Sequence, residues 1–357
     1  MKIAIFCPNW VGDLVMATPA LRAVRRQFPQ AEIVAVLRPY VADVLDGLDL
    51  VDRRLLHTPR LKSLWRKTPV EASRGLRFAA RLRREKFDLA LLLANTFRSA
   101  FWAWVSGARQ RVGFDLYQRG WLLTDAVPPP PVDIPQPVID NYLELAARIG
   151  CQDLNRTTEL AVRPADEERL QTFWQQHSTG DYAGRGVVCL SPGGAFGSAK
   201  HWPEEKFAEL ATQIAADLGK RVLVLCGPAE RESARRIAKF ANHPAVLSLA
   251  DEALSIGLTK AAVRGADLLV TTDSGPRHFA APFRVPVVTL FGPTHMAWSD
   301  TYYDLARHLQ VPVDCGPCQQ RACPLLHHRC MKDLRVRDVF QAASALLNDD
   351  GVTRRAA

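Results

Sequence analysis

No stretch of this chain is apolar for long enough to cross a membrane. The nearest candidate, Leu89 to Ala108, is interrupted by Asn95, Arg98 and Ser99. Met1-Lys2 leads straight into the strand-like run Ile3–Phe6, with no apolar stretch followed by a small-residue cleavage site. A secretory leader is therefore not expected, and the chain reads as cytoplasmic. The GxGxxG fingerprint of nicotinamide-dependent oxidoreductases is missing around Gly12. No Gly-Lys-Ser/Thr occurs either, which excludes a Walker-type phosphate loop.

What the chain does have is length for two domains and a lopsided charge. At 357 residues, with 48% hydrophobic and 23% charged residues, it has the composition of an ordinary globular protein too long for one core. Its net charge is +9, yet residues 53–86 alone hold twelve Lys or Arg against Glu71 and Glu85, a formal +10. Arg60, Lys62, Arg66, Lys67, Arg77, Arg81 and Arg84 belong to this patch. It calls for an anionic partner such as a phosphate-bearing lipid or a membrane surface, against the plainer reading of a solvated helix face. Nucleic acid is the weaker partner, because only Trp65 and Phe78 interleave the charges and no nucleic-acid-binding signature accompanies them.

Strand and helix patterns alternate through the first half. Strands are expected at Lys2–Cys7, Glu32–Leu37 and Asp88–Leu93, with helices at Asp13–Gln27, 74–86 and Asp140–Ile149. The proline run after Val127 excludes helix there. After a linker at 151–185 containing a helix from Ala165, the alternation restarts. Its strands are Val187–Leu190, Arg221–Leu225, Val246–Leu249, Asp267–Val270 and Val285–Leu290, with helices near 203–218, 229–241, 255–265 and 275–283. The fold class is α/β: two units, each a parallel sheet covered by helices. The domains are set at 1–165, 166–335, and 336–357 as a C-terminal helix packing back on the first domain, with a tail.

Four segments carry chemistry. Pro8-Asn9-Trp10-Val11-Gly12-Asp13 follows the first strand, and Asp13 reads either as a helix N-cap or as a carboxylate able to take a proton from a hydroxyl. Ser191-Pro192-Gly193-Gly194-Ala195-Phe196-Gly197-Ser198-Ala199-Lys200 offers backbone N–H groups and one ammonium, a pairing suited to a diphosphate. In Asp273-Ser274-Gly275, with His278 beyond, Ser274 and Gly275 present N–H groups to phosphate at a helix start, and His278 is placed to reach the same anion or a sugar hydroxyl. Finally Cys315, Cys318, Cys323 and Cys330 fall within sixteen residues, with His327 and His328 among them. They suit a structural zinc, with redox-labile thiols or plain packing as the other readings.

These segments resemble glycosyltransferase family 9, the ADP-heptose:lipopolysaccharide heptosyltransferases, and heptosyltransferase II most. The resemblance rests on the 8–13 loop with Thr18-Pro19-Ala20-Leu21, on 194–203, on 273–278 and on Phe291-Gly292-Pro293-Thr294, in family order. It implies a GT-B fold of two Rossmann-like domains facing across a cleft, acceptor on the first and nucleotide sugar on the second. It also implies an inverting transfer that requires no cofactor, and no Asp-x-Asp metal motif contradicts that. Carried over, Asp13 is the general base and Lys200 holds the diphosphate of ADP-heptose. Glu230 takes the ribose hydroxyls, while Asp273, Ser274, Gly275 and His278 position the donor. Ser191, Gly193, Gly194 and Ser198 belong to the same donor loop. The implied partners are ADP-heptose, an anionic lipopolysaccharide-core acceptor and the cytoplasmic face of the inner membrane, with no nucleic acid. A family member using another sugar or acceptor is the near alternative. A zinc-bearing nucleic-acid-binding protein is the alternative of another class. Pro276 and Pro282 depart from a plain helix after Asp273 and put its geometry in question.

Overall fold

The computed structural model describes residues 1–57, 69–131, 134–177 and 180–349, with side chains of the helix beginning at Pro69 described from residue 75. The chain divides into two compact units, Met1–Glu159 and Leu160–Ala357, so the boundary falls ahead of the expected residue 165.

The first unit runs β1 (Lys2–Phe6), α1 (Val11–Met16), α2 (Thr18–Gln27), β2 (Glu32–Leu37), β3 (Arg53–Leu56) and α3 (Pro69–Glu85). It continues with β4 (Leu89–Leu92), α4 (Phe97–Ser106), β5 (Gln110–Phe114), β6 (Asp125–Val127) and α5 (Val138–Arg148). Its sheet is parallel, in the order β3-β2-β1-β4-β5-β6. Ile3 to Phe6 are all buried because β1 lies between β2 and β4, with Ile3 opposite Ile33 on one side and Leu89 on the other. A strand covered on both faces is apolar wherever it is buried, and Ile3 to Phe6 follow that rule, with only Lys2 at the strand's start polar.

The helix expected over Asp13–Gln27 is two helices. Pro19 sits at the start of α2 and lacks the N–H that would continue the ladder, so the Thr18 hydroxyl donates instead to the Val15 carbonyl at 2.7 Å. Helix α4 was not anticipated. It opens with a capping box in which Thr96 Oγ1 accepts from the Ser99 N–H at 3.1 Å, and the Ser99 hydroxyl accepts from the Thr96 N–H.

The second unit comprises α6 (Pro164–Gln176), β7 (Val187–Ser191), α7 (Glu204–Leu218), β8 (Arg221–Val224), α8 (Arg231–Ala241), β9 (Val246–Ser248) and α9 (Ile256–Arg264). There follow β10 (Leu268–Thr272), α10 (Ala280–Phe283), β11 (Val287–Phe291), β12 (Ala306–Gln310), α11 (Arg329–Lys332) and α12 (Val336–Leu347). The order β12-β11-β10-β7-β8-β9 is that of the first sheet. Each sheet therefore reverses strand order at one place, β1/β4 in the first and β7/β10 in the second. Loops beyond the strand ends at such a reversal leave a ready-made crevice.

The expected packing of the last helix on the first domain gives way to another arrangement. The apolar face of α12 (Val336, Val339, Ala343 and Leu346) lies in the second unit's core with Trp202, Phe207 and Val288. Burying each Val or Leu there is worth roughly 1.5–3 kcal/mol. The helix expected at 275–283 is a 3₁₀ turn over Gly275–Phe279 followed by the four-residue α10, as the two prolines foreshadow. Among the described residues no helix is long and apolar enough to cross a membrane.

Candidate active site

Three loops of the second unit converge beyond the ends of β7, β8 and β10. The first, 191–200, brings Lys200 into a nearly closed environment, 8% exposed. Its ammonium donates to Asp273 Oδ2 at 2.5 Å and to the Asp273 carbonyl at 2.9 Å, and lies 4.5 Å from the centre of the Phe196 ring. An ammonium has three protons, so one remains for an incoming oxygen anion.

The second loop carries Glu230, whose carboxylate accepts from the Gly227 N–H at 2.7 Å. A Cβ on Gly193 would lie 2.1 Å from Glu230 Cδ, so a larger residue there would push the Glu230 carboxylate out of its place against the first loop. The third loop is tied to the first by Thr272, whose hydroxyl donates to the Gly193 carbonyl at 2.8 Å. Ser274 stands beside Gly194, its hydroxyl 3.2 Å from that of Thr271.

Asp273 is the hub of the third loop. Besides Lys200 it accepts from Thr294 at 2.7 Å and from Ser299 at 3.3 Å, and Arg277 lies 3.7 Å away. Burial by itself would raise its pKa. Lys200 and Arg277 outweigh that and hold the carboxyl down to about 2. So engaged, Asp273 anchors Lys200 rather than presenting a free carboxylate. Thr294 and Arg277 fall inside motifs visible in the sequence, yet their pairing with Asp273 becomes apparent only in the fold.

His278 is buried, and burial, then the Arg277 cation, push it down to about 3. The same two causes bring His308 down to about 4, its Nε2 lying 3.2 Å from Arg277. Both imidazoles are therefore neutral at pH 7. These folded pKa values lie below the ordinary ~6.5, so the unfolded chain takes up protons first. The stability they contribute is complete above ~6.5 and is lost as pH falls from there toward 4 and then 3, each by up to ~1.4 kcal/mol per pH unit. Denaturant midpoints measured between pH 7.5 and 5 should fall steadily below 6.5, and less so for His308→Gln. A flat profile contradicts this reading.

In the first unit, Asp13 stands half-buried in the first turn of α1. It is not the N-cap: Trp10 holds that place, and its side chain makes no capping bond. Of the basic residues, Arg60, Lys62, Arg66 and Lys67 lie outside the described residues. Arg77, Arg81 and Arg84 are exposed along α3 at helical spacing. Arg53 and Arg54 are spent locally: Arg53 pairs with Glu32 and Glu85 at 2.6 Å each, and Arg54 with Asp46.

The cysteine segment braces the 191–200 loop. The Arg321 carbonyl accepts from the Ala199 N–H at 3.0 Å, and His328 Nε2 lies 2.7 Å from the Ala199 carbonyl. Gly197, at φ +154°, admits that approach, since a Cβ would lie 2.2 Å from the Arg321 oxygen. Cys315, Cys318, Cys323 and Cys330 line one cavity of about 20 Å³, with His327 Nε2 3.8 Å from Cys315 Sγ. All four are free thiols, and among the described residues no three His, Cys, Asp or Glu side chains are placed to hold a metal ion.

Two Rossmann-like units, one with a basic glycine loop at its topological switch, are those of the GT-B fold. The chain belongs to glycosyltransferase family 9 (heptosyltransferase), whose family model matches residues 75–328. It is therefore an enzyme of glycosyl transfer. It is 28% identical over 355 residues to lipooligosaccharide heptosyltransferase 2 of Campylobacter jejuni, covering 98% of this chain and 99% of that protein. To lipopolysaccharide heptosyltransferase 2 of Escherichia coli K12 it is 26% identical, with 97% and 99% covered. The solved structure of E. coli ADP-heptose lps heptosyltransferase II superposes with a TM-score of 0.79 at 25% identity, covering 97% of this chain and 98% of that one. Family membership displaces the reading as a zinc-bearing nucleic-acid-binding protein.

Proposed function

We propose that this enzyme transfers heptose from ADP-heptose to the inner core of lipopolysaccharide with inversion at the anomeric carbon. The observation that carries the reading is the meeting of Lys200, the 193–194 glycines, Glu230 and Ser274 at one switch point. The names of the similar heptosyltransferases support the sugar and the acceptor.

Asp13 takes the proton of an acceptor hydroxyl, whose oxygen attacks the anomeric carbon. The bond to the β-phosphate oxygen breaks on the opposite face, and its electron pair leaves with ADP. Lys200 neutralises that charge with its remaining proton, aided by N–H groups of Gly193, Gly194, Ser274 and Gly275. Glu230 accepts from the ribose hydroxyls. Ser191, Ser198 and neutral His278 line the donor, while Asp273 holds Lys200 in place. Transfer needs no metal. Arg77, Arg81 and Arg84, with Arg60, Lys62, Arg66 and Lys67, draw the first unit to the anionic cytoplasmic face of the inner membrane.

Thermal denaturation with nucleotides tests the donor. ADP at 100 times its dissociation constant should stabilise by about 2.7 kcal/mol, with UDP and GDP weaker. Equal stabilisation by all three rejects an adenine-specific donor site.

A structural zinc on Cys315, Cys318, Cys323 and Cys330 requires the thiols to close about their shared cavity. Elemental analysis should then find about one zinc per chain, lost in Cys315→Ser/Cys318→Ser. Metal-free, fully folded protein rules it out.

A further inference from the structure

A cavity of about 280 Å³ opens in the first unit beside the 8–13 loop, lined among others by Asn9, Arg38, His57, Thr96, Arg98 and Trp102. It lies at the β1/β4 reversal, where that sheet is expected to receive its ligand. Its lining holds polar atoms that no described residue satisfies. Among the described residues, both ring nitrogens of His57, the Trp102 indole N–H and Arg98 Nε are buried without a hydrogen-bond partner. His57 is 8% exposed and Trp102 5%. Buried polar atoms are nearly always paired, so a cluster of orphans in one cavity needs an explanation.

The charges point the same way. Arg38 and Arg98 form no ion pair with any described residue. Burial, then Arg38, lowers the pKa of Arg98, and burial, then Arg38 and Arg98, pushes His57 down to about 3. Two guanidiniums thus share a partly buried space with a neutral imidazole, a combination that costs free energy until an anion enters. Water could satisfy the N–H groups but would leave the like charges unopposed.

The walls are also fixed in advance. His57 stacks on Phe78 of α3, ring centres 4.4 Å apart, and meets the edge of Trp102 of α4 at 5.5 Å. The loop from Ala94 to Ser99 is pinned from behind by the fully buried Arg119. Its guanidinium donates to the Ala94 carbonyl at 2.7 Å, the Thr96 carbonyl at 3.1 Å and Asn95 Oδ1 at 3.0 Å.

We propose that the cavity binds an anionic group of the acceptor sugar, a carboxylate or a phosphomonoester, through Arg38, Arg98 and the N–H groups of His57 and Trp102. This rests on the acceptor role given to the first unit and adds the chemistry by which it selects its substrate. Asn9 of the 8–13 loop is part of the lining, so a sugar seated there lies beside the loop that bears Asp13.

The test reads binding without turnover. In the ¹⁵N-labelled full-length protein, the Trp102 indole resonance is identified by its absence from Trp102→Phe. Glucuronate, glucose 6-phosphate and glucose are then titrated to ~10 mM, a range that reports millimolar affinities. A saturable shift of that resonance with glucuronate assigns a carboxylate, and with glucose 6-phosphate a phosphomonoester. Glucose should leave it unmoved, and Arg98→Gln should weaken the anion about tenfold or more. The same variant should still be stabilised by ADP as the parent is, which shows that it folds. No shift with either anion, an equal shift with glucose, or unchanged affinity in Arg98→Gln overturns the proposal. Anion binding at Trp102 in a protein that transfers no heptose keeps the cavity and removes the heptosyltransferase reading.

Discussion

Replacing Asp13 with asparagine should lower kcat about 10²- to 10⁴-fold, the usual loss when a general base is removed. The substitution keeps size and hydrogen-bonding shape but removes the negative charge that a proton acceptor needs. Because Trp10, not Asp13, occupies the N-cap of α1, the variant leaves that cap untouched. The charge of Asp13 also favours the helix N-terminus, an effect of only ~0.3–1 kcal/mol. The fold should therefore persist, and ADP, held in the other unit, should stabilise the variant as it does the parent. A kcat within a few fold of the parent's would show that Asp13 is a helix-start carboxylate and nothing more.

Replacing Lys200 with methionine should cost about 3–5 kcal/mol of stability, because it strands the buried Asp273 carboxylate. Thr294 and Ser299 still donate to that carboxylate and Arg277 still lies near it, so the loss should sit toward the lower end. ADP affinity should fall as well, since a charge-assisted bond to the diphosphate is worth ~1.5–3 kcal/mol. The two effects separate in the double variant Lys200→Met/Asp273→Asn. Removing both charges should restore much of the stability but none of the nucleotide affinity. If the double variant is less stable than Lys200→Met alone, the pair is not coupled as described.

The strands legible in the sequence were those buried on both faces, such as β1, β7 and β10, each built on a continuous apolar run: Ile3–Phe6, Val187–Leu190 and Leu268–Val270. β3 and β12 escaped because they are sheet edges: Arg-Arg-Leu-Leu reads as part of a charge patch, and Ala306–Gln310 has a polar, half-exposed pattern. β5 escaped though internal, because only its last three residues are buried. The common strand order of the two sheets left no trace at residue level, since it lies in the crossovers.

The 191–200 and 273–278 loops were visible because glycine, lysine and aspartate after a strand have a direct chemical meaning. The restraint of Asp273 was not, because its partners Lys200, Thr294 and Ser299 come from separate loops that only the fold assembles. The orphaned donors of His57 and Trp102 were equally hidden. Each residue alone reads as core, and the cavity forms only when β2, β4 and α4 pack.

The most direct measurement is mass spectrometry of a lipopolysaccharide inner-core acceptor incubated with the enzyme and ADP-heptose in the presence of a metal chelator. The account predicts one heptose added per acceptor, with ADP released in equal amount and the product linkage of opposite anomeric configuration to the donor. Transfer from a UDP- or GDP-sugar but not from ADP-heptose, or retention of the donor's configuration, would contradict it.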